Sequence, residues 1–353
     1  MDGQVKRDTA QSEEQQFQQA MEDIAVLQPH LAHPKGMEAL AAMQGRRTLE
    51  FAAALSHANP FFLPTMDADS AERLKITLAQ LAELTFRARL TASRASQPNI
   101  LVACAPKSAS TFITAALIDA LKLLPASLAT PTLSPFSSSM LGANLRSQET
   151  DELALLRHGL NGLGYVAQHH IRCTPYLAHQ MALYNIRPIV TIRNFFDTLV
   201  SLDDMYLQWH AGNRAIPTNF FDDGLPAHYA QMPFEERLDM LVSAQAVWYA
   251  QFLLSWQMCE KINLVKPLWV SYETDFLGDK AALAARIATF IGGNQGDAEK
   301  IAAALVDKRD GDRKRINRGV AGRGADVPQA VREKAMAIFD RYTTSGDMTP
   351  LVG

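Results

Sequence analysis

The segment Ala105-Pro106-Lys107-Ser108-Ala109-Ser110-Thr111-Phe112 concentrates groups suited to holding an anion. It follows the apolar run Ile100-Leu101-Val102-Ala103-Cys104 and opens a second one, Phe112-Ile113-Thr114-Ala115-Ala116-Leu117-Ile118. That pattern reads as strand, tight loop, helix. Such a loop aims consecutive backbone N–H groups and the positive end of a helix at one spot, which suits a phosphate. Lys107 adds a mobile positive charge, and Ser108, Ser110 and Thr111 add hydroxyl donors. A nucleoside-triphosphatase loop carries its lysine at the end of Gly-x-x-x-x-Gly-Lys-Ser/Thr. Here Lys107 comes first and the loop has no glycine. The pattern fits a phosphate held without the triphosphate-and-magnesium geometry.

Three further segments carry chemistry. Ile192-Arg193-Asn194-Phe195-Phe196-Asp197-Thr198-Leu199-Val200-Ser201 puts an arginine at a strand end and a serine on the helix that follows. The guanidinium fork suits a phosphate, and Asn194 and Asp197 are cap residues by type. Alone, the segment reads equally as an ordinary capped helix whose arginine forms a surface pair. Arg315-Ile316-Asn317-Arg318-Gly319-Val320-Ala321-Gly322-Arg323-Gly324 is a loop able to wrap a phosphate, although Arg/Gly loops are common. Gln168-His169-His170 ends a strand. A histidine there can be a general base at neutral pH, and strand alternation sends the two imidazoles to opposite faces. A hydrogen-bonded core histidine is the plainer reading of either one.

These segments need a scaffold that brings them to one edge. From about Pro98 onward, short apolar runs alternate with amphipathic stretches, the mark of a parallel sheet flanked by helices. Strands are predicted at Ile100–Ala105, Gly164–His169, Pro188–Ile192 and Leu264–Ser271. Helices are predicted at Thr111–Leu124, Pro175–Tyr184, Phe196–Trp209 and Lys280–Ile291, with a long one at Phe234–Lys261. Three of the strands run directly into a motif, and open α/β sheets place ligands at that carboxyl edge. Trp248, Tyr249, Phe252 and Trp256 on the long helix read as core. The segments Ser127–Ser147 and Ala211–Pro233 read as loops or lids over a pocket. Residues 1–15 are polar and read as a disordered tail. Residues 16–97 read as an all-helical extension, divided by Pro29, Pro34, Pro60 and Pro64. Its role is open between a cap, a homo-oligomer surface and a partner-docking module.

The bulk numbers set the outer bounds. The 353 residues suffice for one large α/β domain plus an extension, and 48% hydrophobic residues supply a sizeable core. A net charge of −3 gives no global basic field for nucleic acid. Cys104, Cys173 and Cys259 have no metal-site spacing and form no disulfide framework, which fits a reducing, cytoplasmic compartment. The polar start lacks the apolar core of a signal peptide, and no run of about 18 apolar residues would span a membrane.

Taken together, the four segments resemble the family of sulfotransferases that use PAPS, 3′-phosphoadenosine 5′-phosphosulfate. The family's Pro-Lys-Ser-Gly-Thr-Thr-Trp signature stands here as Pro106-Lys107-Ser108-Ala109-Ser110-Thr111-Phe112. Its arginine at a strand end, with a serine eight residues later, is matched by Arg193 and Ser201. Its tyrosine-glutamate pair after a later strand is matched by Tyr272-Glu273. Its Arg-Lys-Gly-x-x-Gly is similar to Asn317-Arg318-Gly319-Val320-Ala321-Gly322. Its catalytic histidine, often in Lys-Thr-His, falls at His170 of Gln168-His169-His170, about two dozen residues before Arg193. The departures are Ala109 for glycine, Phe112 for tryptophan, Asn317 for arginine and Gln168 for lysine. The resemblance runs from about Asn99 to Arg323.

The resemblance implies a three-layer fold of the P-loop NTPase type over residues 98–345, with a central, mainly parallel sheet. It implies that His170 is the general base and that Lys107 steadies the leaving oxygen. By the same resemblance, residues 107–112 (Lys107, Ser108, Ala109, Ser110, Thr111 and Phe112) hold the 5′-phosphosulfate. Arg193, Ser201, Arg318 and Gly319 hold the 3′-phosphate, and Tyr272 lies near the adenine. It implies sulfuryl transfer from PAPS, without a metal, to a hydroxyl or amine of a small-molecule, lipid-like or glycan acceptor. Aromatic and apolar residues in the two lid segments (Phe136, Met140, Trp209, Phe220, Phe221, Tyr229) favour an apolar or aromatic acceptor over a polyanionic one. The rival readings are a small-molecule kinase with a divergent phosphate loop and a non-catalytic scaffold on a nucleotide-binding fold.

Overall fold

A computed structural model describes residues 78–129, 149–211, 225–226, 228–306 and 321–353. These fall into two compact units. The first contains described residues 78–95, 126–129 and 149–162, and the second 96–125 and 163 onward. In the first unit, helices α1 (Leu78–Ser93) and α3 (Glu152–Gly159) pack together. Arg89 donates to Glu152 Oε1 at 3.1 Å across that contact. The rest of the expected helical extension, residues 16–77, lies outside the described residues, as does the expected tail.

The second unit is built on a five-stranded sheet in the order β2-β3-β1-β4-β5. The strands are β1 (Asn99–Cys104), β2 (Leu124–Ala126), β3 (Tyr165–His169), β4 (Ile186–Ile192) and β5 (Leu268–Ser271). β1 pairs in parallel with β3 and β4, and β4 in parallel with β5. The helices in this unit are α2 (Ser110–Leu121), α4 (Pro175–Leu183), α5 (Phe195–Ala211), α6 (Phe234–Lys261), α7 (Lys280–Ile291), α8 (Gln295–Val306), α9 (Gln329–Phe339) and α10 (Thr349–Val352). The result is the expected α/β arrangement, a parallel sheet flanked by helices.

Alternation along β1 sorts its side chains. Ile100 and Val102 enter a core shared with Ile113 and Leu117 of α2, Leu283 and Ile287 of α7, and Ile301 and Leu305 of α8. Burying each such aliphatic side chain contributes about 1.5–3 kcal/mol. A second group centres on Phe195 of α5, whose ring meets Tyr249 of α6 at 5.2 Å and Phe339 of α9 at 5.0 Å. Tyr249, Phe252 and Trp256 are fully buried, as their helical spacing predicts, whereas Trp248 stays half-buried.

Local chemistry accounts for the differences from the predicted boundaries. α2 stops at Lys122, whose φ of 56° leaves the helical region, and the short exposed strand β2 follows. β4 begins two residues before Pro188. β5 pairs with β4 only from Ile189 onward, so the missing Pro188 N–H leaves no gap in that ladder. β5 starts at Leu268 rather than Leu264 because the end of α6 claims the earlier residues. Asn263 turns to φ 59°, and the Leu264 N–H returns to Cys259 C=O at 2.9 Å, a helix C-cap of the Schellman type. No helix among the described residues is long and apolar enough to cross a membrane.

Candidate active site

β1 lies between β3 and β4, so the chain leaves it at the point where the sheet's winding reverses, and a crevice opens at the carboxyl edge. Four chain segments meet there. They are residues 105–109 after β1, His170 after β3, Arg193 after β4, and Tyr272-Glu273 after β5.

The loop after β1 is held from every side. Ser108 donates its hydroxyl to Ala105 C=O at 2.5 Å and contacts the Thr191 hydroxyl of β4 at 2.6 Å. Its side chain therefore ties the loop to the sheet, and its backbone N–H is what remains for a ligand. Tyr249 of α6 donates to Pro106 C=O at 3.1 Å. Arg193 Nη1 donates to Lys107 C=O at 3.2 Å. Lys107 and Ala109 adopt φ of 67° and 64°, a conformation that costs about 1–2 kcal/mol for a residue bearing a Cβ. The position at which Ala109 departs from glycine is thus one where the backbone is left-handed. Ala109→Gly relieves that strain but loosens the unfolded chain. The expected net gain is about 0.5 kcal/mol, read as a higher urea midpoint with an unchanged slope.

Arg193 is buried rather than surface-paired, with 5% of its area exposed. Its guanidinium carbon lies 4.0 Å from the Tyr272 ring centroid, and Nη2 lies 3.7 Å from Asp197 Oδ2. Tyr272 in turn stacks on Phe276, and Phe276 meets Phe112 edge-on at 5.3 Å. Burial pushes the Tyr272 phenol up, with Arg193 working against it, so the ring stays neutral. Glu273 accepts from Asn194 N–H at 3.0 Å and binds the end of β4 to that of β5. Phe112 is buried in the core with Phe276, and Ser201 is buried on α5.

The two cap residues divide their work. Asn194 caps α5, its side-chain oxygen accepting from Phe196 N–H at 2.9 Å. Asp197 reaches further along the chain, accepting from Gly322 N–H at 2.9 Å and Gly324 N–H at 2.5 Å. Arg323 pairs with Asp204 at 2.7 Å. The start of α5 therefore holds the end of the Arg/Gly segment. Arg318 and Gly319, together with Arg315 and Asn317, lie outside the described residues.

His170 is half-buried and His169 buried, in keeping with their alternation. His170 Nδ1 lies 2.9 Å from Cys104 C=O and 3.3 Å from Cys104 Sγ. A carbonyl only accepts, so the neutral ring carries its proton on Nδ1, and Nε2 is the basic nitrogen. Trp248 stands edge-on to His170 with ring centroids 6.5 Å apart. Nothing in the helical spacing of Trp248 set it apart from its buried neighbours; only its neighbour across the site does. Gln168 donates to the hydroxyls of Ser110 at 3.0 Å and Thr111 at 3.2 Å.

Of the lid aromatics, Tyr229 is fully buried and does not face a pocket. Its hydroxyl donates to Asp203 of α5 at 2.8 Å, and Arg237 grips the same carboxylate through Nε at 2.7 Å and Nη2 at 2.9 Å. The Asp203–Arg237 pair holds the ring inside, because the remaining lone pairs of a buried carboxylate must be satisfied. Phe136, Met140, Phe220, Phe221 and the Trp209 side chain lie outside the described residues.

No protein-family model matches the chain, and no curated protein matches it. Among solved structures the chain is similar to the crystal structure of mouse sulfotransferase SULT7A1 complexed with PAP, at 15% sequence identity and a TM-score of 0.43. The match covers 75% of this chain and 88% of that one.

Proposed function

We propose that this chain is a PAPS-dependent sulfotransferase. The observation that carries the reading is the convergence, at one sheet edge, of the glycine-free loop after β1, buried Arg193, the Tyr272 ring and His170. Arg193 touches both the loop and the ring, so a ligand held by the loop lies beside a fixed cation.

PAPS would supply an activated sulfuryl group whose bridging oxygen leaves with the 5′-phosphate. The chain's own residues would do the rest. Loop amides and Lys107 hold the phosphosulfate and steady charge on the departing oxygen. Arg193, with Ser201, Arg318 and Gly319, holds the 3′-phosphate, and Tyr272 borders the adenine. His170 Nε2 takes the acceptor's proton as the new bond to sulfur forms and the bond to the bridging oxygen breaks. By analogy with phosphoryl transfer, positioning and charge stabilisation dominate. The half-buried Trp248 beside His170 favours an acceptor with an apolar or aromatic body.

Thermal melting tests the reading directly. Adenosine 3′,5′-bisphosphate at 100 times its Kd is expected to stabilise the protein by about 2.7 kcal/mol. ATP with magnesium is expected to give no comparable shift, and Arg193→Ala is expected to abolish the shift given by the bisphosphate. Stabilisation by ATP–magnesium alone would instead identify a kinase. No response to either would favour a scaffold.

A further inference from the structure

Gln168 stands apart from the residues that would touch a nucleotide, yet its amide reaches the first two residues of α2. It donates to Ser110 Oγ at 3.0 Å and to Thr111 Oγ1 at 3.2 Å. A hydroxyl has one hydrogen and two acceptor positions. An amide N–H uses an acceptor position and leaves the hydrogen to be directed elsewhere.

The usual resting place for that hydrogen in a helix is the carbonyl four residues back. For Ser110 and Thr111 those carbonyls belong to Pro106 and Lys107. Pro106 C=O already accepts one hydrogen bond from the Tyr249 hydroxyl, and Lys107 C=O one from Arg193, so a hydroxyl hydrogen would have to compete there for the second lone pair. Among the described residues neither hydroxyl hydrogen meets an acceptor. Ser110 is also 95% buried, with 5% exposed, so water does not readily take the place of one.

We propose that Gln168 is a positioning residue that turns the Ser110 and Thr111 hydroxyls into donors aimed at an oxyanion in the loop. This deepens the proposed function and rests on it for the identity of the anion. Tyr249 and Arg193 assist by competing for the carbonyls that would otherwise draw the hydrogens inward. The sense of the amide decides the outcome. Were its oxygen to face the hydroxyls, both would donate to it, and neither would serve a ligand.

Three replacements separate these cases. Gln168→Met keeps the shape without hydrogen bonds, Gln168→Lys only donates, and Gln168→Glu only accepts. Calorimetric titration with adenosine 3′,5′-bisphosphate should show about a tenfold loss of affinity in the methionine variant, for roughly one lost hydrogen bond's worth of orientation. The glutamate variant should lose about a hundredfold or more, since it consumes both hydrogens and adds a like charge. The lysine variant should stay within about threefold of the original protein. Melting temperatures of the ligand-free variants report any merely structural effect, which the rescue by lysine would not reverse. Equal affinity in the methionine variant, or a lysine variant as weak as the methionine one at unchanged melting temperature, overturns the assignment. If the original protein binds no bisphosphate, the proposed function fails. The same variants titrated with inorganic sulfate then decide the Gln168 assignment by the same ordering.

Discussion

Replacing His170 with alanine is expected to lower sulfuryl transfer by about 10²–10⁴-fold, the usual worth of a positioned general base. Affinity for adenosine 3′,5′-bisphosphate should stay within about threefold of the original. The separation follows from where the ring is held. Cys104 C=O accepts a hydrogen bond from Nδ1–H at an N···O distance of 2.9 Å, so the tautomer is set by a backbone group that no side-chain substitution removes. Nε2 is then the basic nitrogen of the neutral ring. The loop that would hold the phosphosulfate is braced independently, through Thr191, Tyr249 and Arg193. Losing the imidazole should therefore remove proton transfer and spare binding. Labelled PAPS offered with a panel of alcohols, phenols, amines and glycans would supply the assay and reveal the acceptor. His169→Ala is the control. Its side chain is buried, so the expected result is a less stable protein whose folded fraction still turns over. If His169→Ala instead abolishes transfer while His170→Ala does not, the base has been assigned to the wrong face.

Replacing Asp197 with alanine is expected to destabilise the fold by about 3–5 kcal/mol, the range for removing one member of a buried charge pair. The carboxylate is 4% exposed and serves three groups. It accepts from the N–H groups of Gly322 and Gly324 and faces the Arg193 guanidinium. Deleting it leaves two amides without their acceptor and removes a carboxylate that faces a buried cation. Arg193 should then be held by Lys107 C=O and the Tyr272 ring without Asp197, so bisphosphate affinity should fall together with stability. Asp197→Asn retains a carbonyl and the shape; about 1–2 kcal/mol is the expected loss there. Equilibrium urea unfolding checks both, and an alanine variant within about 0.5 kcal/mol of the original would show that the pair contributes nothing. Gly324→Ala probes the same contact from the other side. A Cβ there would lie 2.8 Å from Phe196 Cβ and 3.0 Å from Asp197 N, closer than packed atoms tolerate, so the Gly324 segment must move off α5.

Much of this site can be read from residue order, and the unreadable part has a physical cause. β1, β3 and β4 announce themselves because each is an apolar run that ends abruptly in polar residues, and that ending is the sheet's carboxyl edge. Tyr272-Glu273 follows for the same reason. β2 has no such signal: Leu124-Pro125-Ala126 is short and largely exposed, and only its neighbour β3 makes it a strand. Asp197 reads as a helix cap because its type and place are those of a cap. Its partners are backbone N–H groups of glycines more than a hundred positions away, and a backbone donor leaves no mark in a sequence. Tyr229 reads as a pocket aromatic until Asp203 and Arg237 are seen to enclose it. Gln168 shows the same limit most plainly. Its type suggests a lost charge, and only the distances to Ser110 and Thr111 give it work of its own.

Helix α5 carries acidic side chains at 197, 203 and 204, and each is fastened to a distant part of the chain. Asp197 and Asp204 take the stretch that begins at Gly322, and Asp203 takes Tyr229 and Arg237. Two pieces of chain with no sequence relation thus share a single mooring, and neither can shift against the sheet without straining the other's attachment. Whatever loosens α5 should release both at once, so amide hydrogens in residues 228–237 and 322–327 are expected to exchange as one unit. A ligand clasped at the head of that helix is therefore expected to slow exchange in both stretches together.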